Sequence, residues 1–492
     1  MTLISKYMIM KKNAFLYFSL LMLFTLSSCE KDFLSTDPKI NIPDAEAFST
    51  STKILAHVNN LYGQIQNPNF YGGRFIVFNE QRSDEFGQND GNAATGSAIW
   101  NQNVASTSEY INNVWSAAYT AINASNILMS KLENTTVISD SLAKQYIGEA
   151  KFIRAFCYLS LVQTYAKPFN QDKSAPGVPM RLTPITSAGH NDLARSSVEE
   201  VYQQIIKDLD EAEAALPTAY PTVLLNASRA HKSTSIALKT RVYLNMSAFD
   251  KVVAEAQKLV PSVPPFVYQS GSLSHQLETA ISSVFSGTYT GPEAIFSVIF
   301  ANTTTETPPA QFALAFNYVT QPIIFLAKEG IGYHPVFSDA NDARSALTSI
   351  NVAKHKILTK FRTTTAPFSD YVPVIRYAEV LLNYAEAAAQ TGNLDLAKSL
   401  LLAVRQRSHA NYQFQDTEVG TKESILQTLM TERRIEFVGE GLRLQDLQRN
   451  VLALPAKTGT IGKAPEVLPT AKNYIWPIPS GELSTNKLCV PN

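Results

Sequence analysis

The sequence predicts a mostly α-helical fold of paired helices, interrupted by one long irregular insertion that carries short strands. Two observations predict it. Apolar residues recur at a spacing of three and four through most of the chain, and the segments that show this spacing come in pairs closed by Gly, Asn or Pro. Between Pro261 and Pro373 that period gives way to Ser, Thr, Gly and Pro with scattered aromatics.

At the N-terminus, Lys11 and Lys12 precede an apolar run from Ala14 to Leu26. This is the charge and hydropathy pattern of a secretory signal. The run is shorter than the roughly 20 residues a spanning helix needs. It ends in Leu26-Ser27-Ser28-Cys29, and a cysteine directly behind small residues resembles a bacterial lipoprotein signal. That resemblance implies acylation of the Cys29 thiol, cleavage before it, and an anchor of two or more acyl chains, which holds essentially permanently. The plainer alternative is an ordinary signal with an incidental cysteine. Residues 1–28 are therefore read as a removed signal, 29–43 as a Pro-containing lipid-anchored tether, and 44–492 as a single domain.

The first helix carries Ile54, Leu55, Val58, Leu61, Tyr62 and Ile65 at helical spacing. A second, about 109–131, aligns Ile111, Val114, Trp115, Ala118 and Ile122. The third, about 142–165, is apolar over so wide an arc that it belongs at the centre, with Cys157 as a small core residue. Ser197 and Glu200 form a capping box for a fourth helix that Pro217 ends. Helices about 235–246 and 249–260 come next, closed by Pro261. The insertion, about 261–373, is too long to be a plain connection, and its aromatics argue against disorder. Helices resume at 374–390, stopped by Gly392, then 394–408 and 423–438, stopped by Gly439. The scaffold is thus about 44–260 and 374–450. Such pairs resemble stacked helix hairpins, although no clean 34-residue repeat is visible.

Bulk properties narrow the function. Removing 28 signal residues from 492 leaves 464, of a chain that is 45% apolar, enough for a real core. Forty-two Lys and Arg balance 42 Asp and Glu, so no basic excess points to nucleic acid. Cys157 and Cys489 lie too far apart in sequence to imply a disulfide framework. There is no His-Glu-x-x-His, Gly-x-Ser-x-Gly, Cys-x-x-Cys or phosphate-cradling glycine loop, and the seven histidines are dispersed. No cofactor is expected.

Three segments carry a family resemblance: 148–156 (GEAKFIRAF), 373–387 (PVIRYAEVLLNYAEA) and 432–443 (ERRIEFVGEGLR), continued by Asp446, Trp476-Pro477-Ile478-Pro479, Glu482 and Asn486. In this order they resemble the SusD/RagB family of lipid-anchored outer-membrane nutrient-binding proteins, across the whole mature chain. The C-terminal Cys489-Val490-Pro491-Asn492 departs from the Gln-Asn-Pro-like ending common in the family. The resemblance implies tetratricopeptide-like hairpins in a SusD-like α-α superhelix, an irregular ligand-side remainder, and a SusC-like TonB-dependent transporter as partner.

Glu432 and Glu436, four apart on one helix, have the spacing to hold a metal or a proton. The plainer expectation is a structural salt-bridge network with Arg376, Arg405 or Arg433, because the guanidinium fork matches a carboxylate. Adjacent Asp84 and Glu85 would face opposite ways in an extended segment, unlike a glycosidase pair. Asn89-Asp90-Gly91-Asn92 lacks the ligands of a calcium loop and reads as a turn.

A sugar offers an apolar ring face and a rim of hydroxyls, so its site combines an exposed aromatic with Arg, Asn and Asp. The candidates are Tyr71, Arg74, Arg82, Asp84, Trp100 and Asn101, placed on loops between the first two helices, with Tyr289 and Tyr333 in the insertion. Trp100 leads because its neighbours are small and polar, whereas Trp115 and Trp476 read as packing residues. The expected function is non-catalytic capture of an oligosaccharide on the outside of the outer membrane and its delivery to the transporter. A peptide-binding member of the same family and a hairpin scaffold for surface enzymes are the alternatives.

Overall fold

The computed structural model describes residues 44–91, 93–187, 189 and 191–492. The signal, Cys29 and the tether lie outside the described residues, as do Asn92, Ala188 and His190. The chain divides at residue 54, and residues 55–492 form a compact unit. Before that point, the described part is the short helix Asp44–Ala47 and the opening of helix α1, Ser51–Ile65. All later elements belong to the compact unit. Among the described residues no helix is long and apolar enough to cross a membrane.

Beyond α1 the helices are α2 (Arg74–Arg82), α3 (Ser97–Trp100), α4 (Glu109–Leu132), α5 (Asp140–Tyr165), α6 (Val198–Ala215), α7 (Lys232–Asn245) and α8 (Phe249–Ala256). After the insertion come α9 (Tyr377–Gln390), α10 (Leu394–Ser408), α11 (Lys422–Phe437) and α12 (Arg443–Arg449). They stack in hairpin order: α5 packs against α4 and α6, α7 against α6 and α9, and α9 against α10 and α11. Helix α5 is central because Ile153, Cys157 and Leu161, on its inner face, and Phe152, Tyr158 and Leu159, around the rest, are all buried. Ser197 accepts from the Glu200 N–H at 3.2 Å while Glu200 accepts from the Ser197 N–H at 2.8 Å, which completes the expected box. Gly392, at φ +92°, makes the left-handed turn between α9 and α10.

Arginines lock the layers, two of them as forks. Arg154 of α5 donates to both oxygens of Asp208 on α6, at 2.8 and 2.7 Å. Arg241 of α7 holds Glu379 of α9 at 2.6 and 2.6 Å. Arg433 donates to Asp446 at 3.0 Å. These charges belong largely to the segments that carry the family resemblance, so the motif is a set of interlayer clamps.

The insertion holds β2 (Ala294–Val298), β3 (Ile324–Leu326) and the hairpin β4 (Thr348–Ile350) with β5 (Lys356–Leu358); β1 is Phe86–Gln88 and β6 is Val372–Arg376. Two expectations need correction here. Residues 372–376 form a strand antiparallel to β2, with Val372 opposite Val298, and the helix starts only at Tyr377. Val372-Pro373-Val374-Ile375 explains this: two β-branched residues follow a proline that cannot donate to a helical turn. Conversely, Arg74–Arg82 is a helix and not a loop, and all nine of its residues are buried. With polar and apolar side chains both inside, it has no amphipathic stripe to read.

The insertion joins the scaffold through buried charge. Glu293, Asp342, Glu432, Glu436 and Glu440 meet Arg344, Lys360, Arg376, Arg405 and Arg407 in one connected network, the side chain of every member nearly solvent-free. Arg376 reaches Glu436 at 3.0 Å and Glu440 at 2.8 Å, and Arg405 reaches Glu432 at 3.0 Å. Arg376 and Arg405 are thus the expected partners, whereas Arg433 turns to Asp446. The five positive and five negative side chains cancel. Removing one partner leaves a buried charge uncompensated, which costs about 3–5 kcal/mol. Arg376→Ala is expected to lower the unfolding free energy by that amount in a denaturant titration, and Arg376→Lys to restore only part of it, because an ammonium cannot span Glu436 and Glu440 as a fork does.

Candidate ligand-binding face

The residues singled out from sequence divide between core and surface. Trp100 ends the short helix α3 and is 0% exposed, its Nε1 donating to the Phe86 carbonyl at 2.8 Å. The expectation of an open aromatic platform there is corrected: the Lys457 ammonium lies 5.5 Å from the ring centroid, and Gly459 runs so close that a Cβ on it would come within 3.1 Å of the ring. Arg74 is buried, donates to the Gln311 carbonyl at 2.7 Å, and lies over the Phe78 and Tyr110 rings. Tyr71 packs among Phe70, Phe75 and Phe156 with its hydroxyl 3.1 Å from Ser160 Oγ. Arg82 is buried, Asn101 is half-buried, and Tyr289 is half-buried with its hydroxyl donating to Glu278 at 2.6 Å. Trp115 and Trp476 are core residues, as expected.

Asp84 and Glu85 lie just after α2, on a bend rather than in a strand, so both carboxylates reach the same two arginines. Arg443 donates to Asp84 at 2.8 and 2.9 Å, and Arg434 to Glu85 at 2.7 and 3.2 Å and to Asp84 at 3.3 Å. Burial alone would raise the Asp84 pKa, but Arg443 and Arg434 hold it below the usual carboxylate range; burial and the Asp84 charge push Glu85 up. Every oxygen of the pair already accepts a bond, one of them from the Ile331 N–H. Their geometry is that of a structural clamp. Asp210, Glu213 and Glu255 also converge, yet Lys239 sits among all three and Lys258 joins two, so cations of the chain neutralise them.

The aromatic surface that remains is built on strands. Strand β1 pairs antiparallel with β3, Gly87 opposite Phe325, and β3 lies beside β5. Alternation along β3 buries Ile324 and Leu326 and turns Phe325 outward, across Gly87. A Cβ on Gly87 would come within 2.7 Å of the Phe325 ring, so glycine makes the room. His355 stacks on Phe325 at 4.1 Å between centroids, 14° from parallel. Nearby in the chain, Tyr333 is 44% exposed, and the buried Lys356 ammonium lies 5.4 Å from its ring centroid, with Phe337 at 5.8 Å from that ammonium. The cation–π contact fixes the Tyr333 ring from one side. The β4–β5 hairpin beside it exposes Ile350 and Val352. Of the candidates named from sequence, Tyr333 alone presents a large exposed ring. Phe325 and His355 were not foreseen; the signal for Phe325 is an aromatic between two aliphatics in a three-residue strand, which is too short to read.

A hairpin scaffold that fixes aromatic rings on a strand-built face, with its carboxylates held in ion pairs, defines a class of surface-binding proteins. Residues 32–244 match the family described as "Starch-binding associating with outer membrane", and residues 333–492 match the SusD family. A SusD superfamily protein from Bacteroides fragilis superposes with a TM-score of 0.80 at 31% identity, over 90% of this chain and 99% of that one. SusD-like protein P38 of Formosa agariphila is 22% identical over 95% of this chain and 96% of its own length. SusD-like protein P25 of the same organism is 21% identical over 49% of this chain, a match that spans 45% of that relative. The chain belongs to the SusD/RagB family, whose members are outer-membrane-associated nutrient-binding proteins, generally non-catalytic.

Helix α2 also carries a buried acid whose titration is shifted upward. Glu80 of α2 accepts from the Gly441 N–H at 2.6 Å through one oxygen, and its other oxygen has no partner. Burial raises its pKa to about 8 despite that bond. A carboxyl with a raised folded pKa favours the folded state below its unfolded value, and the benefit is lost as pH climbs from about 4.5 to about 8. Glu80→Gln keeps an acceptor for Gly441 and has no proton to lose. Its melting temperature, tracked across that window, is expected to fall less steeply than that of the wild type.

Proposed function

We propose that this protein captures an oligosaccharide at the cell surface and passes it to a SusC-like TonB-dependent transporter, held beside it by acyl chains on Cys29. The observation that carries the glycan part is the pairing of family membership with an exposed, pre-positioned ring: Tyr333, backed by Lys356, next to the strand that bears the Phe325–His355 stack. A sugar ring lays its apolar face on such a ring, and the polar rim satisfies its hydroxyls. Exposed Asn89 and Asp90, just after β1, and Glu329, which accepts from the Thr458 hydroxyl at 2.8 Å, supply that rim. Support for the transporter comes from the family and from the lipoprotein-like N-terminus. A protein tethered beside a transporter gains effective concentration without tight affinity, and modest affinity leaves the glycan free to move on.

Calorimetry of residues 36–492 against neutral and acidic glycans and short peptides tests the ligand class. Tyr333→Ala is expected to weaken glycan binding about tenfold, the loss of one aromatic contact, with the melting temperature unchanged because the ring is at the surface. Binding of peptides alone, insensitive to Tyr333, would sink the glycan reading. Cys29→Ala is expected to move the protein from the membrane fraction to the soluble fraction and to leave calorimetric affinity as it was.

A further inference from the structure

A cavity of about 370 Å³, within the roughly 300–1,000 Å³ common for ligand pockets, opens between the end of α5, the strand pair Pro176–Pro179 and Arg195–Ser197, and residues 469–475. It shares no residue with the Tyr333 face. Three cations stand in its wall: Lys167 and Lys472, both exposed, and Arg195, half-buried. Lys167 has a partner in Asp172, at 3.4 Å. Among the described residues no Asp or Glu joins the wall, and no carboxylate, that of the Asn492 end included, pairs with Arg195 or Lys472. The arginines of the interlayer clamps, by contrast, all meet carboxylates.

The wall is fixed before any ligand arrives. Arg195 donates through Nε to the Gly177 carbonyl and through Nη2 to the Pro176 carbonyl, both at 2.7 Å, and through Nη1 to the Val490 carbonyl at 3.2 Å. Carbonyl dipoles position the guanidinium without cancelling its charge, and burial holds its pKa below the usual guanidinium range. Gln171 Nε2 donates to the Pro469 carbonyl at 2.8 Å, and Asn492 Nδ2 to the Tyr165 and Trp476 carbonyls at 3.0 and 2.7 Å. These bonds draw residues 469 and 492 in around the end of α5 and commit both amides to the backbone. Much of the remaining wall is apolar, and three prolines in it keep accessible surface: Pro176, Pro469 and Pro491.

We propose that this cavity binds a small monocarboxylate with an apolar body about one ring in size, its carboxylate held by the Arg195 and Lys472 charges and its body laid against the three prolines. An inorganic anion would meet the charge and leave the prolines wet. A sugar ring would need partners for several hydroxyls where the amides are already committed. A neutral aromatic would gain the apolar contact alone. The site is thus additional to the glycan face and takes a different ligand.

Calorimetry on residues 36–492, which contain the compact unit, tests this with benzoate as the probe. Benzoate is expected to bind at least about tenfold tighter than benzyl alcohol, which lacks the charge. It is expected to exceed acetate, which lacks the body, by a similar factor. Methyl glucuronoside carries the charge on a hydroxylated ring and should bind more weakly than benzoate. Lys472→Glu reverses an exposed charge of the wall and should weaken benzoate about tenfold with the melting temperature unchanged. Lys463→Glu, exposed but outside the wall, should leave benzoate binding as it was. Arg195→Gln and Arg195→Lys both lose the fork onto the carbonyls, so greater affinity in the Lys variant assigns the effect to charge. Absence of benzoate binding overturns the proposal. So does equal binding of benzyl alcohol, acetate or the glucuronoside, or an equal effect of Lys472→Glu and Lys463→Glu, which would mark general surface charge.

Discussion

The ten-member buried ion network is the constraint on which the rest of the structure depends. It joins the ends of β2 and β6, the C-terminal turns of α11, the last turn of α10 and two points of the long insertion. A buried ion pair adds little net stability, because desolvation of both groups offsets their attraction. What it adds is selectivity among packings: a shifted register would strand a charge in the core. A hundred-residue segment of poor secondary structure is thereby held in one arrangement against a helical stack. Apolar contacts alone would tolerate several, since they are not directional.

The proposed binding face inherits its order from this arrangement. Lys360, in the segment after the β4–β5 hairpin, donates to Glu440 and to the Glu436 carbonyl at 2.7 Å each. Arg344, which precedes that hairpin, is tied to Glu432 and Asp342. The hairpin that supplies His355 and Lys356 is therefore fixed on both sides by the same network. Preorganisation of this kind spares a ligand the entropy of ordering the loop.

The scaffold was legible in the sequence where a helix is amphipathic or capped. Ile111, Val114 and Trp115 mark α4, and Ser197 with Glu200 marks the start of α6. Legibility failed where both faces are buried, as in Arg74–Arg82, and where a β-branched run directly precedes a helix, as at Val372–Arg376. The site was less legible for a related reason. Exposure is a property of the assembled fold: small polar neighbours of Trp100 suggested an open ring, yet Lys457 and Gly459, from the other end of the chain, lie against it. The acidic residues of the family segments were placed in ion pairs correctly as a class. Their partners Arg344 and Arg407 lie 88 and 29 residues from Glu432 and Glu436 and carry no local signal.

The clamp between Asp84 and Arg443 joins residues 359 apart. Until α11 and α12 exist, Asp84, Glu85 and Glu80 have neither guanidinium nor the Gly441 N–H to meet them. The N-terminal hairpins can form early, because their contacts are local. Closure of the strand-built side has to wait for the C-terminal quarter of the chain, and closing so long a loop makes it a late, slow step. A chain truncated before Arg434 would thus keep helical content while losing the clamp that holds the proposed binding face.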